Sequence, residues 1–145
     1  MHRSGAAIDG VSLVHGRATG RSLVLEEPLS FWGGVDANTG MIVDTHHPQV
    51  GQSIVSRVLV LPGGRGSSSS SSVLAEAIRN GAGPAGIVLG MSDPIIAIGC
   101  LVAHELYGAS TPVVVLAAAG YQMCLESTEL LVDADSDHAV VTVVQ

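Results

Sequence analysis

The chain reads as an α/β domain, on three observations. Short runs of branched apolar residues recur at 57–61, 86–89 and 112–116, with the length and composition of buried strands. Between them lie two stretches with helical spacing, 73–79 and 94–107. Before and after this alternation the sequence is β-rich, so one strand–helix–strand–helix–strand layer is expected inside a strand-dominated chain. Residues 1–145 are expected to form one domain.

Residues 1–7 read as a loose end. Strands are expected over 11–18 and 22–25, with Thr19-Gly20-Arg21 as the turn of a hairpin. Residues 28–34 look irregular, 35–40 form a polar turn, and 41–44 a short strand. Thr45-His46-His47-Pro48 and Gly51-Gln52-Ser53 then lead to the central strand at 57–61. The helix at 73–79 stops at Asn80-Gly81, a good C-terminal signal. After the strand at 86–89, Ser92 and Asp93 can cap a helix that opens on Pro94 and ends at Gly108. A strand at 112–116, a short turn or helix at 121–124, and closing strands at 129–133 and 139–144 complete the chain.

Composition narrows the function classes. Of the 145 residues 47% are hydrophobic and only 3% aromatic, so Val, Ile, Leu and Ala must fill the core. Charged residues are 13%, low enough to suggest a subunit with a covered face. The net charge is −7 and the six basic residues are scattered arginines, which argues against nucleic acid. Residues 1–20 lack the continuous apolar core of a signal peptide. The longest apolar segment, 94–103, falls well short of the ~20 residues of a membrane helix. No membrane association and a cytoplasmic location are therefore expected. Cys100 and Cys124 sit in apolar segments without metal-ligand spacing, as buried thiols do, and two cysteines are too few for an iron–sulfur cluster.

The most informative stretch runs from Val58 to Leu74. A strand stops at Pro62, a turn of Gly63, Gly64, Arg65 and Gly66 follows, and Ser67 to Ser72 lead into a helix. Such a helix start carries unpaired N–H groups and the positive end of the dipole, which suits an anion. Arg65 adds a planar fork for a carboxylate or phosphate. Serines before a helix can also be caps alone, and Gly-Ser runs can be linkers; flanking strand and helix patterns favour a loop inside the fold. His46 and His47 beside Asp44 invite a metal, but neighbours in extended backbone point apart, so a loop role is favoured. His104, with Glu105 beside it, is expected on the polar side of its helix. A Ser67–His104–Asp93 hydrolase triad can be written on paper without any sign that the three meet.

Two stretches together resemble the aconitase X family. They are Gly33-Gly34-Val35-Asp36-Ala37-Asn38-Thr39-Gly40 with His47-Pro48, Gly51 and Ser53-Ile54, and the 59–72 loop followed by Gly81 to Leu89. The likeness covers about 8–118, and the Gly-Arg-Gly-Ser turn is its most specific part. Ala37 stands where proline is expected, and Ser70 or Ser71 where glycine is common. The resemblance implies a single swivelling β/β/α domain of the aconitase superfamily type, the small subunit of a dehydratase. It implies a large catalytic partner subunit that carries an iron–sulfur cluster. It places the catalytic base on Ser67; from the chemistry of the loop, Gly64, Arg65, Gly66 and Ser68 are the expected carboxylate contacts. It implies a small hydroxy acid as substrate, cis-3-hydroxy-L-proline ahead of phosphomevalonate, since lysine is absent and one arginine serves the loop. A non-catalytic carboxylate-binding domain is the reading from another class.

Overall fold

A computed structural model describes residues 5–144, so part of the expected loose end, residues 1–4, lies outside the described residues. Seven strands close into a barrel: β1 (Ala7–Val14), β2 (Gly16–Val24), β3 (Val58–Leu61), β4 (Gly86–Leu89), β5 (Val113–Val115), β6 (Glu129–Ala134) and β7 (His138–Val143). Around the barrel the order is β1-β5-β4-β3-β2-β6-β7. Strands β2 to β5 run parallel, whereas β1, β6 and β7 pair antiparallel and close the circle. Helices α2 (Ser69–Arg79) and α3 (Pro94–Tyr107) make the crossovers between the parallel strands. A single distorted turn, α1 (Phe31–Gly34), and a short helix, α4 (Ala118–Cys124), complete the elements.

The two-residue period of a strand divides the core. Leu59, Leu61, Ile87, Leu89 and Val113 face outward and pack with Leu74 of α2 and Ile96, Ala97 and Cys100 of α3. Their sequence neighbours Val58, Val60, Val88 and Val114 face inward and meet Leu130, Val132 and Val141 of the antiparallel strands. Strands β3 and β4 are buried on both faces, which is why they read as unbroken apolar runs.

Three local expectations need correction. The hairpin at 19–21 does not exist: Gly16 to Arg21 lie in one continuous ladder against β6. Gly20 is a glycine because a Cβ there would lie 2.7 Å from the Ser56 carbonyl oxygen. The chain bends instead at Gly16, whose φ of 150° few other residues adopt, and β1 and β2 are not partners. Residues 41–44 form no strand, only the isolated bridges Val35–Ile42 and Met41–Ser53. Helix α2 begins at Ser69, four residues before the expected start. Serine is a weak helix former, but Ser70 is buried with its Oγ accepting from Trp32 N–H at 3.2 Å, and Ser71 Oγ donates to Ile95 O at 2.7 Å. Helix α3, its Asp93 cap and its Gly108 stop are as expected.

Candidate active site

The carboxyl ends of β2 to β5 open on one edge of the barrel, the side of parallel strands where ligands collect. The β3–α2 loop crosses this edge. Gly64 pairs with Leu29 in a single bridge, and Arg65 N–H donates to Leu29 O at 3.2 Å. Gly64 N–H donates to Asp93 Oδ2 at 2.7 Å. Gly66 takes φ 97°, and a Cβ there would lie 2.7 Å from Ser30 Oγ, so the turn admits only glycine without strain.

Ser67 and Ser68 follow, both exposed. Ser68 occupies the cap position of α2 in helical conformation, and its side chain caps nothing. Ser67 Oγ accepts only a long contact, 3.4 Å, from Ser69 N–H, while Ser67 O and Ser68 O accept from Ser70 and Ser71. The amides of Gly66, Ser67 and Ser68 donate to no acceptor among the described residues. Consecutive unpaired amides at the positive end of an 11-residue helix favour an anion.

Beside this turn lies a cavity of about 230 Å³ between the first turns of α2 and α3, lined by Gly64, Arg65, Gly66, Ser70, Ser92 and Asp93 over a floor of Leu29, Phe31 and Ile96. The structure thus brings Gly64, Arg65 and Gly66 onto one cavity, with Ser67 and Ser68 at the adjoining exposed turn rather than in its lining. Arg65 Nη2 donates to Pro28 O at 2.7 Å and approaches Glu27 Oε1 at 3.5 Å. Only Nη2 makes these contacts, so Nε and Nη1 of the half-exposed fork face no such partner.

The other sequence candidates separate. Asp93 Oδ1 accepts from Ile95 and Ile96 N–H at 2.9 and 3.1 Å while Oδ2 holds Gly64. His104 stands eleven residues further along α3, about 16 Å by helical rise, with its ring edge-on to His15 at 5.3 Å. No Ser67–His104–Asp93 triad is assembled. His47 is buried, its Nδ1 accepting from Gln49 N–H and its Nε2 meeting Glu27 O, whereas His46 is exposed. Both His47 nitrogens therefore serve the loop. Cys100 and Cys124 are free and buried in the two separate cores. Burial pushes their thiols up to about 12 and about 11.

The same edge carries a larger groove that the sequence did not reveal. It has a volume of about 810 Å³ and is lined by the ends of β2 and β3 and by Tyr121, Gln122, Met123, Leu125 and Glu126. The Tyr121 hydroxyl is buried with no partner among the described residues, and desolvation, then nearby Cys124, push it up to about 12. Only folding gathers these residues, so no local signal announces them.

Comparison with known proteins agrees with this architecture. Residues 7–143 match the aconitase X swivel domain family. A cis-3-hydroxy-L-proline dehydratase of Hypocrea jecorina is 40% identical over 86% of the chain, and one of Pseudomonas aeruginosa is 48% identical over 72%. The chain spans 21% and 18% of those two proteins. The phosphomevalonate dehydratase small subunit of Methanothermobacter thermautotrophicus is 43% identical over 66% of the chain and 73% of its own length. Among solved structures, holo-form aconitase X of Thermococcus kodakaraensis superposes with a TM-score of 0.78 at 33% identity, over 94% of this chain and 98% of that one. With the fold and nearly the whole length in agreement, the chain belongs to the aconitase X swivel domain family.

Proposed function

We propose that this chain, 1–145 as one domain, is the small subunit of an aconitase X hydro-lyase, with Ser67 as the base. The observation that carries the reading is the start of α2, where Ser67 stands among unpaired amides, two residues after Arg65 in the same loop. A β-hydroxy acid offers its carboxylate to the Gly66 and Ser68 amides and Arg65, above the surface made by Gly64. Ser67 Oγ then takes the proton from the carbon beside the carboxylate. The helix dipole and the same amides stabilise the negative charge this requires of the serine. As that carbon's electron pair forms the double bond, the hydroxyl on the next carbon departs, and the net loss is one water. From cis-3-hydroxy-L-proline the product is an enamine that tautomerises to Δ1-pyrroline-2-carboxylate.

This chain does not fit an iron–sulfur cluster. Its two thiols are buried in different cores, and no group of three or more metal-binding side chains occurs among the described residues. The cluster is accordingly assigned to a large partner subunit, as the small-subunit names of the archaeal relatives suggest. No helix among the described residues is long and apolar enough to cross a membrane. Buried free thiols suit a reducing cytoplasm.

Hydroxyproline is the favoured substrate, because Arg65 is the one arginine among the described residues that lines the cavities described at this edge, and a phosphate would call for more cations. Phosphomevalonate is the second reading, favoured by 51% identity over 79 residues to the small subunit of Methanopyrus kandleri. The test is to co-produce the chain with its large partner and assay both acids. Ser67→Ala is expected to lower kcat by about 10²–10⁴-fold. Turnover of phosphomevalonate alone reverses the substrate choice. Binding of the acids without turnover by the parent complex makes the chain a carboxylate-binding domain instead.

A further inference from the structure

Asp93 has two carboxylate oxygens with two different tasks. Oδ1 accepts from Ile95 and Ile96 N–H and so caps α3. A cap needs no more than that one acceptor, and Ser, Thr or Asn would supply it. Oδ2 instead reaches a residue 29 positions earlier in the chain, accepting from Gly64 N–H at 2.7 Å. The fit is mutual: a Cβ on Gly64 would lie 2.5 Å from Oδ2, so the glycine and the carboxylate require each other.

A second tie fastens the other side of the serine turn. Ser71 Oγ donates to Ile95 O at 2.7 Å, two residues from Asp93. Gly64 and Ser71 are thus both pinned to the first turn of α3, and Ser67 lies between the pins. The anchor itself is firm, because Ile96, Cys100 and Ala103 of α3 are buried. The loop needs such an anchor. Gly63 meets no heavy atom within 4 Å of a would-be Cβ, residues 65–69 are exposed, and Gly66 supplies conformational freedom.

We propose that Asp93 is a positioning residue that holds Ser67 in register through the Gly64 amide; this rests on the reading of Ser67 as base. Both oxygens of Asp93 are engaged by backbone N–H groups, so it acts through the loop and not on the substrate. Its contribution is to transfer the rigidity of α3 to a turn that glycines would otherwise leave loose.

The experiment compares parent, Ser67→Ala, Asp93→Ser and Asp93→Asn, each co-produced with the large subunit and assayed on cis-3-hydroxy-L-proline and phosphomevalonate. Serine at 93 keeps the cap on Ile95 and Ile96 but is too short for Gly64, and asparagine turns an N–H donor toward an N–H donor. Both are expected to lower kcat per assembled complex by about 100-fold, the scale of a ~1 Å misplacement. KM should stay within about twofold of the parent, because the carboxylate-holding amides remain. The thermal midpoint of Asp93→Ser should stay near that of the parent. Parental kcat in Asp93→Ser beside an inactive Ser67→Ala overturns the positioning role and leaves the base in place. Parental kcat in Ser67→Ala overturns both. A fall in thermal midpoint with unchanged kcat per assembled complex reduces Asp93 to a helix cap.

Discussion

Two helices of this molecule follow parallel strands in the same way, yet their first turns are built oppositely. Helix α3 is closed: Asp93 accepts two of its first amides, Pro94 needs no acceptor, and Gly108 at φ 69° ends it with an N–H bond to His104 O. Helix α2 has no carboxylate cap: its first amides fall back on Ser67 and Ser68, Ser68's side chain caps nothing, and the amides of Gly66, Ser67 and Ser68 just ahead of it have no acceptor among the described residues. The two helix starts border one cavity, so the difference is in how they are closed and not in which part of the fold they occupy. Closing a helix with a carboxylate makes a fixed point, while leaving one open reserves its amides for a ligand.

The largest stability effect that would break this contrast is at Asp93. Asp93→Ala removes the cap and the Gly64 acceptor together, and should cost about 1–2 kcal/mol in a denaturant titration. If the loss is negligible, α3 is not held as described. Next is Gly66→Ala, which places a methyl group at φ 97° against Ser30 Oγ and should cost about 1 kcal/mol. Its activity loss should exceed what the stability loss explains, because the turn that presents Ser67 must shift.

A smaller effect has the opposite sign. Ser68→Asp gives α2 the carboxylate that α3 already has, and should stabilise by about 0.3–1 kcal/mol at low salt. The same carboxylate competes with an acid substrate, so KM should rise while the thermal midpoint rises. A simultaneous gain of stability and of affinity would refute the reserved-amide reading. The smallest effect is expected from Ser68→Ala, within about 0.5 kcal/mol in thermal melts, since its side chain caps nothing. A larger loss would mean the open end is capped after all.

Much of this contrast could be read from residues, and the limits of that reading are physical. Asp93-Pro94 and Gly108 mark α3 because capping is settled within a few residues. The Gly-Arg-Gly-Ser turn after an apolar strand likewise announced a loop at a helix start. The start of α2 lies earlier than its spacing suggests because Ser70 and Ser71 are held by Trp32 and Ile95, which only folding brings near. Thr19-Gly20-Arg21 looked like a turn because glycine serves turns and close backbone contacts alike, and Ser56 decides between them. Barrel closure depends on β7 pairing with β1, the two ends of the chain, which no window of sequence contains. The same holds for Asp93 and Gly64.

That closure bears on how the protein can associate with other chains. Among the described residues every strand has two hydrogen-bonded neighbours, so they leave no rim for another chain to extend. A protein with an open sheet must keep its edge covered whenever it separates from its companion. The described barrel presents no such edge as a template, whether or not another chain lies beside it.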